Sequence, residues 1–230
     1  MLVLGHRGAP DSRFENTLGS FRAALAMGAD GVELDVRKTR DGHWVVHHDP
    51  CLPGTATPIE RLSLRQVRAR LLPSRERVPT LPEVFETLGR QAQLVVELKG
   101  RSGAGGLVGE LPPAKGRPGL RISSFNHKML AQLAGTRYPL ALTVDRLRPD
   151  TLEKASRMGA SEIHLKHTLL DKGLVRRAHA LKLKVLAWTV DTVTGFANMR
   201  ALGVDGVITN RVEMALRYFR TDRKKTRGHS

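Results

Sequence analysis

Residues Gly31-Val32-Glu33-Leu34-Asp35-Val36-Arg37-Lys38-Thr39-Arg40-Asp41-Gly42-His43-Trp44-Val45-Val46-His47-His48-Asp49 set two apolar runs around a turn. Asp-Gly is among the strongest short hairpin signals, because glycine enters positive φ without steric cost. The run at 31–36 predicts a strand, and 43–48 predicts a return strand lying antiparallel to it. Side chains alternate along a strand, so Glu33 and Asp35 share one face. By the same rule only one of His47 and His48 turns toward those acids, and His48, followed by Asp49, is the candidate.

Outward from this hairpin, further strand-like runs fall at 2–6, 93–98, 119–124, 139–144, 161–165, 183–189 and 204–209. Helical patterns lie between and after them, at 16–27, 63–71, 81–89, 126–134, 150–158, 171–181, 192–202 and 211–219. With 31–36 this makes eight strands alternating with helices, which predicts an α/β fold of the TIM (β/α)8 barrel type. The strand at 43–48 is then a β-hairpin extension after the second strand, not a ninth barrel member. Thr80 with Glu83 three residues on reads as a capping box for the 81–89 helix. Between Gly100 and Gly119 seven glycines and three prolines replace the helix a barrel would carry, predicting a short or disordered loop. The chain reads as one domain over 1–219 with a basic, flexible tail at 220–230.

In a closed parallel barrel every strand delivers its C-terminal end to one rim, where barrel enzymes carry their active sites. Here the strand ends read His6-Arg7, Glu33/Asp35, Glu97/Lys99, Ser124, Thr143/Asp145, His164/Lys166, Trp188/Thr189 and Thr209/Asn210. Glu33, Asp35 and Glu97 brought together would repel one another, and a hard divalent cation relieves that cost. Oxygen donors favour one Mg²⁺ or Ca²⁺ ion over zinc. His6 and His48 suit a general acid and a general base, and Arg7 offers a planar fork to a phosphate. Gly8 would clear space for an approaching ligand.

Composition narrows the alternatives. The 230 residues carry a formal charge of +16, yet only 4% are aromatic, too few for stacking single-stranded bases. The arginines are spread over helix-like segments, so a solvated basic surface is expected and no specific nucleic-acid partner. Arg220, Arg223, Lys224, Lys225 and Arg227 cluster in the tail, which suits at most weak contact with anionic surfaces. No apolar run approaches the roughly 20 residues of a membrane span, and no leader pattern opens the chain. Together with a lone Cys51, this leads to the expectation of a cytoplasmic protein.

The chain resembles the glycerophosphodiester phosphodiesterase family. The matching pieces are His6-Arg7-Gly8, Glu15-Asn16-Thr17, Glu33-Leu34-Asp35-Val36, Thr39 to Gly42 with Val45 to Asp49, Pro79-Thr80-Leu81, Glu97-Leu98-Lys99, Ser124-Phe125, Trp188-Thr189 and Asp205 to Thr209. They run in family order along nearly the whole chain. The resemblance implies a TIM barrel that hydrolyses glycerophosphodiesters, small deacylated phospholipids, to glycerol 3-phosphate and an alcohol. It implies metal ligation by Glu33, Asp35 and Glu97, acid-base catalysis by His6 and His48, and phosphate contacts from Arg7 and Lys99. Glu15 and Asn16 match near-metal positions, with Glu15 orienting Arg7 or a metal-bound water, while Phe125 and Trp188 match an apolar wall. The glycine-rich 100–118 stretch departs from the family, which leaves the leaving group open. A phosphodiesterase of lysophospholipid or sphingomyelin type on the same barrel is the alternative, and a non-catalytic basic binding protein a more distant one.

Overall fold

The computed structural model describes residues 1–90 and 92–226, with the backbone alone for 221–226. Strand β1, Leu2–His6, pairs in parallel with β2, Gly31–Lys38, on one side and with β9, Gly206–Thr209, on the other. Between them run β4 (Gln93–Leu98), β5 (Leu120–Ser124), β6 (Leu140–Val144), β7 (Glu162–Lys166) and β8 (Lys184–Trp188). Each pairs in parallel with the next, so the sheet closes into an eight-stranded barrel without a free edge. The remaining strand, β3 (Trp44–Val46), pairs antiparallel with β2 and stands outside the ring.

Outward-facing residues of the strands, such as Val32, Leu34, Val36, Leu94 and Val96, pack under the helices in one continuous core. Inward-facing Leu4, Val95, Leu186 and Ile208 fill the barrel centre. One inward layer is charged. Arg121 pairs with Glu162 and donates to Gln93 Oε1 at 2.6 Å, and His164 Nε2 lies 3.2 Å from Glu162 Oε2. A buried carboxylate is tolerable only with such partners.

The helices begin where side chains satisfy their first N–H groups. Helix α1 (Leu18–Met27) is capped by Thr17, and α2 (Leu64–Arg68) opens with a Ser63/Gln66 capping box. Helix α3 (Leu81–Leu88) carries the Thr80/Glu83 box. Next come α4 (Leu107–Glu110), α5 (His127–Ala131), α6 (Thr151–Arg157), α7 (Lys172–Ala180), α8 (Val193–Leu202) and α9 (Val212–Thr226). The α9 backbone passes the expected stop at 219, since no glycine or proline interrupts it before Gly228. The flexible character expected of the tail lies outside the described side chains.

Two further expectations change. The stretch after β4 is not a featureless loop: it forms α4 and a 3₁₀ turn at Ala114–Gly116, and Ala104, Leu107 and Leu111 are buried in the main core. Glu110 also accepts the Trp44 backbone N–H at 3.2 Å, which ties the stretch to the hairpin. The hairpin strand is shorter than 43–48, so His47 and His48 follow β3. Backbone bonds still fix them: Val46 N–H donates to Pro79 O and His47 N–H to Asp35 O. Val45, Leu52, Ile59, Val67, Leu72 and Val78 form a second small core beneath.

Candidate active site

Register brings the acids together. His6 lies beside Glu33 across β1 and β2, and Asp35 beside Glu97 across β2 and β4. Neighbouring strands are about 4.8 Å apart, so partners on one face meet. One oxygen from each of Glu33, Asp35 and Glu97 lies within 4.8 Å of the others, and all three residues are buried.

Arg7 and Asn16 supply the polar lining of this cluster by adopting left-handed backbone, with φ of 54° and 55°. That conformation costs a non-glycine residue about 1–3 kcal/mol and persists only where its surroundings hold it. The turn aims the Arg7 backbone N–H at Glu33 Oε2 (3.1 Å) and the Asn16 amide at Asp35 Oδ2 (2.9 Å). Asn16 N–H closes the turn on Arg7 O at 3.0 Å. Gly8 is needed here for a reason other than ligand access: at φ 95° a Cβ would fall 2.4 Å from Ser20 Oγ. What approaches Gly8 is α1, whose Ser20 hydroxyl donates to Arg7 O and accepts from Ala9 N.

The Arg7 guanidinium is held by Glu15 Oε1 at 2.8 Å and Asp35 Oδ2 at 3.1 Å. Lys99 Nζ pairs with Glu97 and lies 3.2 Å from Asp35 Oδ1, with the Phe125 ring 5.2 Å below it. These cations divide the acids unequally. Burial raises every carboxyl pKa, but for Asp35 the charges of Lys99 and Arg7 and the Asn16 bond prevail and hold it low. For Glu33, burial and the charges of Asp35 and Glu97 prevail, pushing it well above the usual carboxylate range. Glu97 is pushed up to about 7, mainly by burial. The protein's own cations therefore do not fully offset the cost of charging Glu33 and Glu97. That donor set, all oxygen and all convergent, fits a hard divalent cation.

His6 is mostly buried, and burial together with Arg7 lowers its pKa. Its Nδ1 meets Asn210 Oδ1 at 2.8 Å, while Nε2 lies 4.0 Å from Glu33 Oε2. His48 lines the same cleft, half-exposed, with Nδ1 2.8 Å from Asp49 Oδ1. His47 turns away, buried, its Nε2 3.1 Å from Cys51 O.

The acid trio, Arg7, Lys99, His6 and His48 border a cleft of about 620 Å³ including its open mouth. Phe125 and Trp188 meet edge to face on it, ring centroids 5.3 Å apart, and Trp188 Nε1 donates to His164 O. Of the eleven residues singled out in the sequence, nine line the cleft; Glu15 and Asn16 act behind it on Arg7 and Asp35. Sequence reasoning assigned no role to Thr143 and His164, which also line it, although both are strand-end polar residues. Nor did it single out Asp191, which sits in a loop and carries no local signal.

The model of the glycerophosphoryl diester phosphodiesterase family matches residues 6–214. A glycerophosphodiester phosphodiesterase of Caldanaerobacter subterraneus subsp. tengcongensis is 31% identical, the match covering 95% of this chain and 98% of that protein. The crystal structure of a glycerophosphodiester phosphodiesterase from Thermotoga maritima superposes with a TM-score of 0.83 at 27% identity, covering 94% of this chain and 97% of that one. An Oleispira antarctica phosphodiesterase, solved with its product sn-glycerol-3-phosphate, shares the fold with a TM-score of 0.86 at 24% identity, covering 96% and 97%. The chain belongs to the glycerophosphoryl diester phosphodiesterase family of enzymes.

Proposed function

We propose that this enzyme hydrolyses small glycerophosphodiesters to glycerol 3-phosphate and an alcohol, with one Mg²⁺ or Ca²⁺ ion held by Glu33, Asp35 and Glu97. One observation carries the reading: an acid trio, two cations and two histidines border a single cleft that Phe125 and Trp188 also line. The bound ion would draw charge from the non-bridging phosphate oxygens.

The chain's own groups do the rest. Arg7, fixed by Glu15 and Asp35, and Lys99, fixed by Asp35 and Glu97, present positive charge that needs no reorganisation as the phosphate gains charge. Of His6 and His48, one takes the proton of the attacking hydroxyl and the other gives a proton to the departing oxygen. The Phe125–Trp188 wall suits the carbon face of a glycerol or alcohol group and excludes water beside it.

The test is glycerol 3-phosphate release from glycerophosphocholine, with EDTA and then with Mg²⁺ or Ca²⁺ restored, and with lysophosphatidylcholine in parallel. Release from the first substrate that stops with EDTA and returns with the ion supports the proposal. Cleavage of lysophosphatidylcholine alone, or activity indifferent to chelation, overturns it.

A further inference from the structure

Behind His6 runs a chain of hydrogen bonds from residues far away in sequence. Asn210 follows β9, the strand that pairs with β1, and its Oδ1 lies 2.8 Å from His6 Nδ1. Asp191, in the loop between β8 and α8, receives Asn210 Nδ2 at 2.7 Å, Asn210 N at 2.8 Å and the Thr209 hydroxyl at 3.0 Å. Thr209 Oγ1 in turn accepts from Arg211 N at 2.9 Å, so each partner has its direction set.

Donor and acceptor logic then fixes the ring. A carboxylate only accepts, so the Asn210 amide must show its NH₂ to Asp191 and its oxygen to His6. An amide oxygen only accepts, so His6 Nδ1 must carry the proton. In the neutral ring the lone pair is then on Nε2, the nitrogen on the Glu33 side of the ring. His48 has no such relay: its Nδ1 meets a carboxylate directly, that of the exposed Asp49 of its own loop, so the proton again sits on Nδ1 and an imidazolium there has its countercharge at hand.

We propose that Asp191 and Asn210 are positioning residues that hold His6 as the Nδ1–H tautomer, making Nε2 the base and leaving proton donation to His48. The proposal rests on His6 and His48 being the acid-base pair. The nucleophile's O–H proton passes to His6 Nε2 as its oxygen bonds to phosphorus. The bond from phosphorus to the departing oxygen breaks, and that oxygen takes a proton from the His48 imidazolium. The two rings end with exchanged protonation states, and no other reactant is required.

Long-range ¹H–¹⁵N spectra of the folded protein report which nitrogen of each ring is protonated, with His6 assigned by its loss in His6→Gln. The wild type should show His6 with Nδ1–H. In Asp191→Asn the carboxylate no longer dictates the amide's direction; Asn210 turns its NH₂ to His6 and the ring becomes Nε2–H. There kcat should fall by about 10²-fold or more, the scale of acid-base help, with KM and melting temperature little changed. Asn210→Leu removes the acceptor at Nδ1 and should lose both the fixed tautomer and kcat to a similar extent. An Nε2–H ring in the wild type overturns the relay. So does an Asp191→Asn or Asn210→Leu variant with tautomer and kcat unchanged. Failure of the wild type to cleave glycerophosphocholine would instead strike the proposed function, while the spectra still judge the relay.

Discussion

Arg7 shows how much one residue is asked to do at this site. Its backbone N–H meets Glu33, its carbonyl accepts from Asn16 and Ser20, and its side chain bridges Glu15 and Asp35. Lysine would keep the charge but lose the planar fork. One charge-assisted hydrogen bond is worth about 1.5–3 kcal/mol, so Arg7→Lys should lower kcat/KM roughly 10- to 150-fold. Steady-state kinetics on glycerophosphocholine checks this. His6→Ala and His48→Ala should each cost about 10²–10⁴-fold in kcat while circular dichroism stays native. Near-normal turnover in either variant would remove that histidine from the acid-base pair.

Among the elements, the hairpin and the stretch after β4 depend on each other. Glu110 at the end of α4 accepts the buried Trp44 N–H and lies 3.6 Å from His43 Nδ1. Glu110→Ala leaves that N–H without its acceptor, and chemical denaturation should show a loss of about 1–3 kcal/mol. Because β3 leads straight into His48, the variant's kcat should fall as well, more than its KM changes. Unchanged turnover would mean that the Pro79 and Asp35 backbone bonds hold His48 in place unaided. At the other end of the chain, Phe196 is fully buried against Tyr218 and Phe219, joining α8 to α9. Phe196→Ala should cost about 3–5 kcal/mol in the same measurement, through the cavity it leaves.

Across the whole molecule, the acid cluster links stability to pH and to the ion. Glu33 and Glu97 have raised pKa values, Glu97 at about 7, so in the metal-free protein folding favours their protonated forms. Their favourable contribution is complete below the ordinary carboxylate value and fades as pH rises, that of Glu97 as pH climbs through about 7. Melting temperature in EDTA should accordingly fall between pH 5 and pH 8, taken as about those values bracketing the shift. Adding Mg²⁺ or Ca²⁺ should reverse the fall at the upper pH, because an ion that binds only the folded state stabilises it. Glu97→Gln should flatten the pH dependence and weaken the response to the ion. A melting temperature indifferent to pH and ion would count against ligation by the trio. Among the described residues no helix is long and apolar enough to cross a membrane.

Alternation of strand and helix, the Asp41-Gly42 turn and the Thr80/Glu83 cap were legible in the chain, because each depends on neighbours a few positions apart. So were Glu33, Asp35 and Glu97 as a group, since period-two alternation and a common rim bring them together whatever the details of packing. The sequence also favoured His48 over His47 by that alternation, although both residues prove to lie just beyond the strand. It misread Gly8, whose neighbour is a helix packed from outside, and the 100–118 stretch, whose glycines permit turns between buried anchors at Ala104, Leu107 and Leu111. The tertiary structure alone decided the bond between His6 and Asn210, 204 positions apart, and through it Asp191. No local pattern encodes that contact: it exists because the barrel closes β9 against β1, and closure is a property of all eight strands at once.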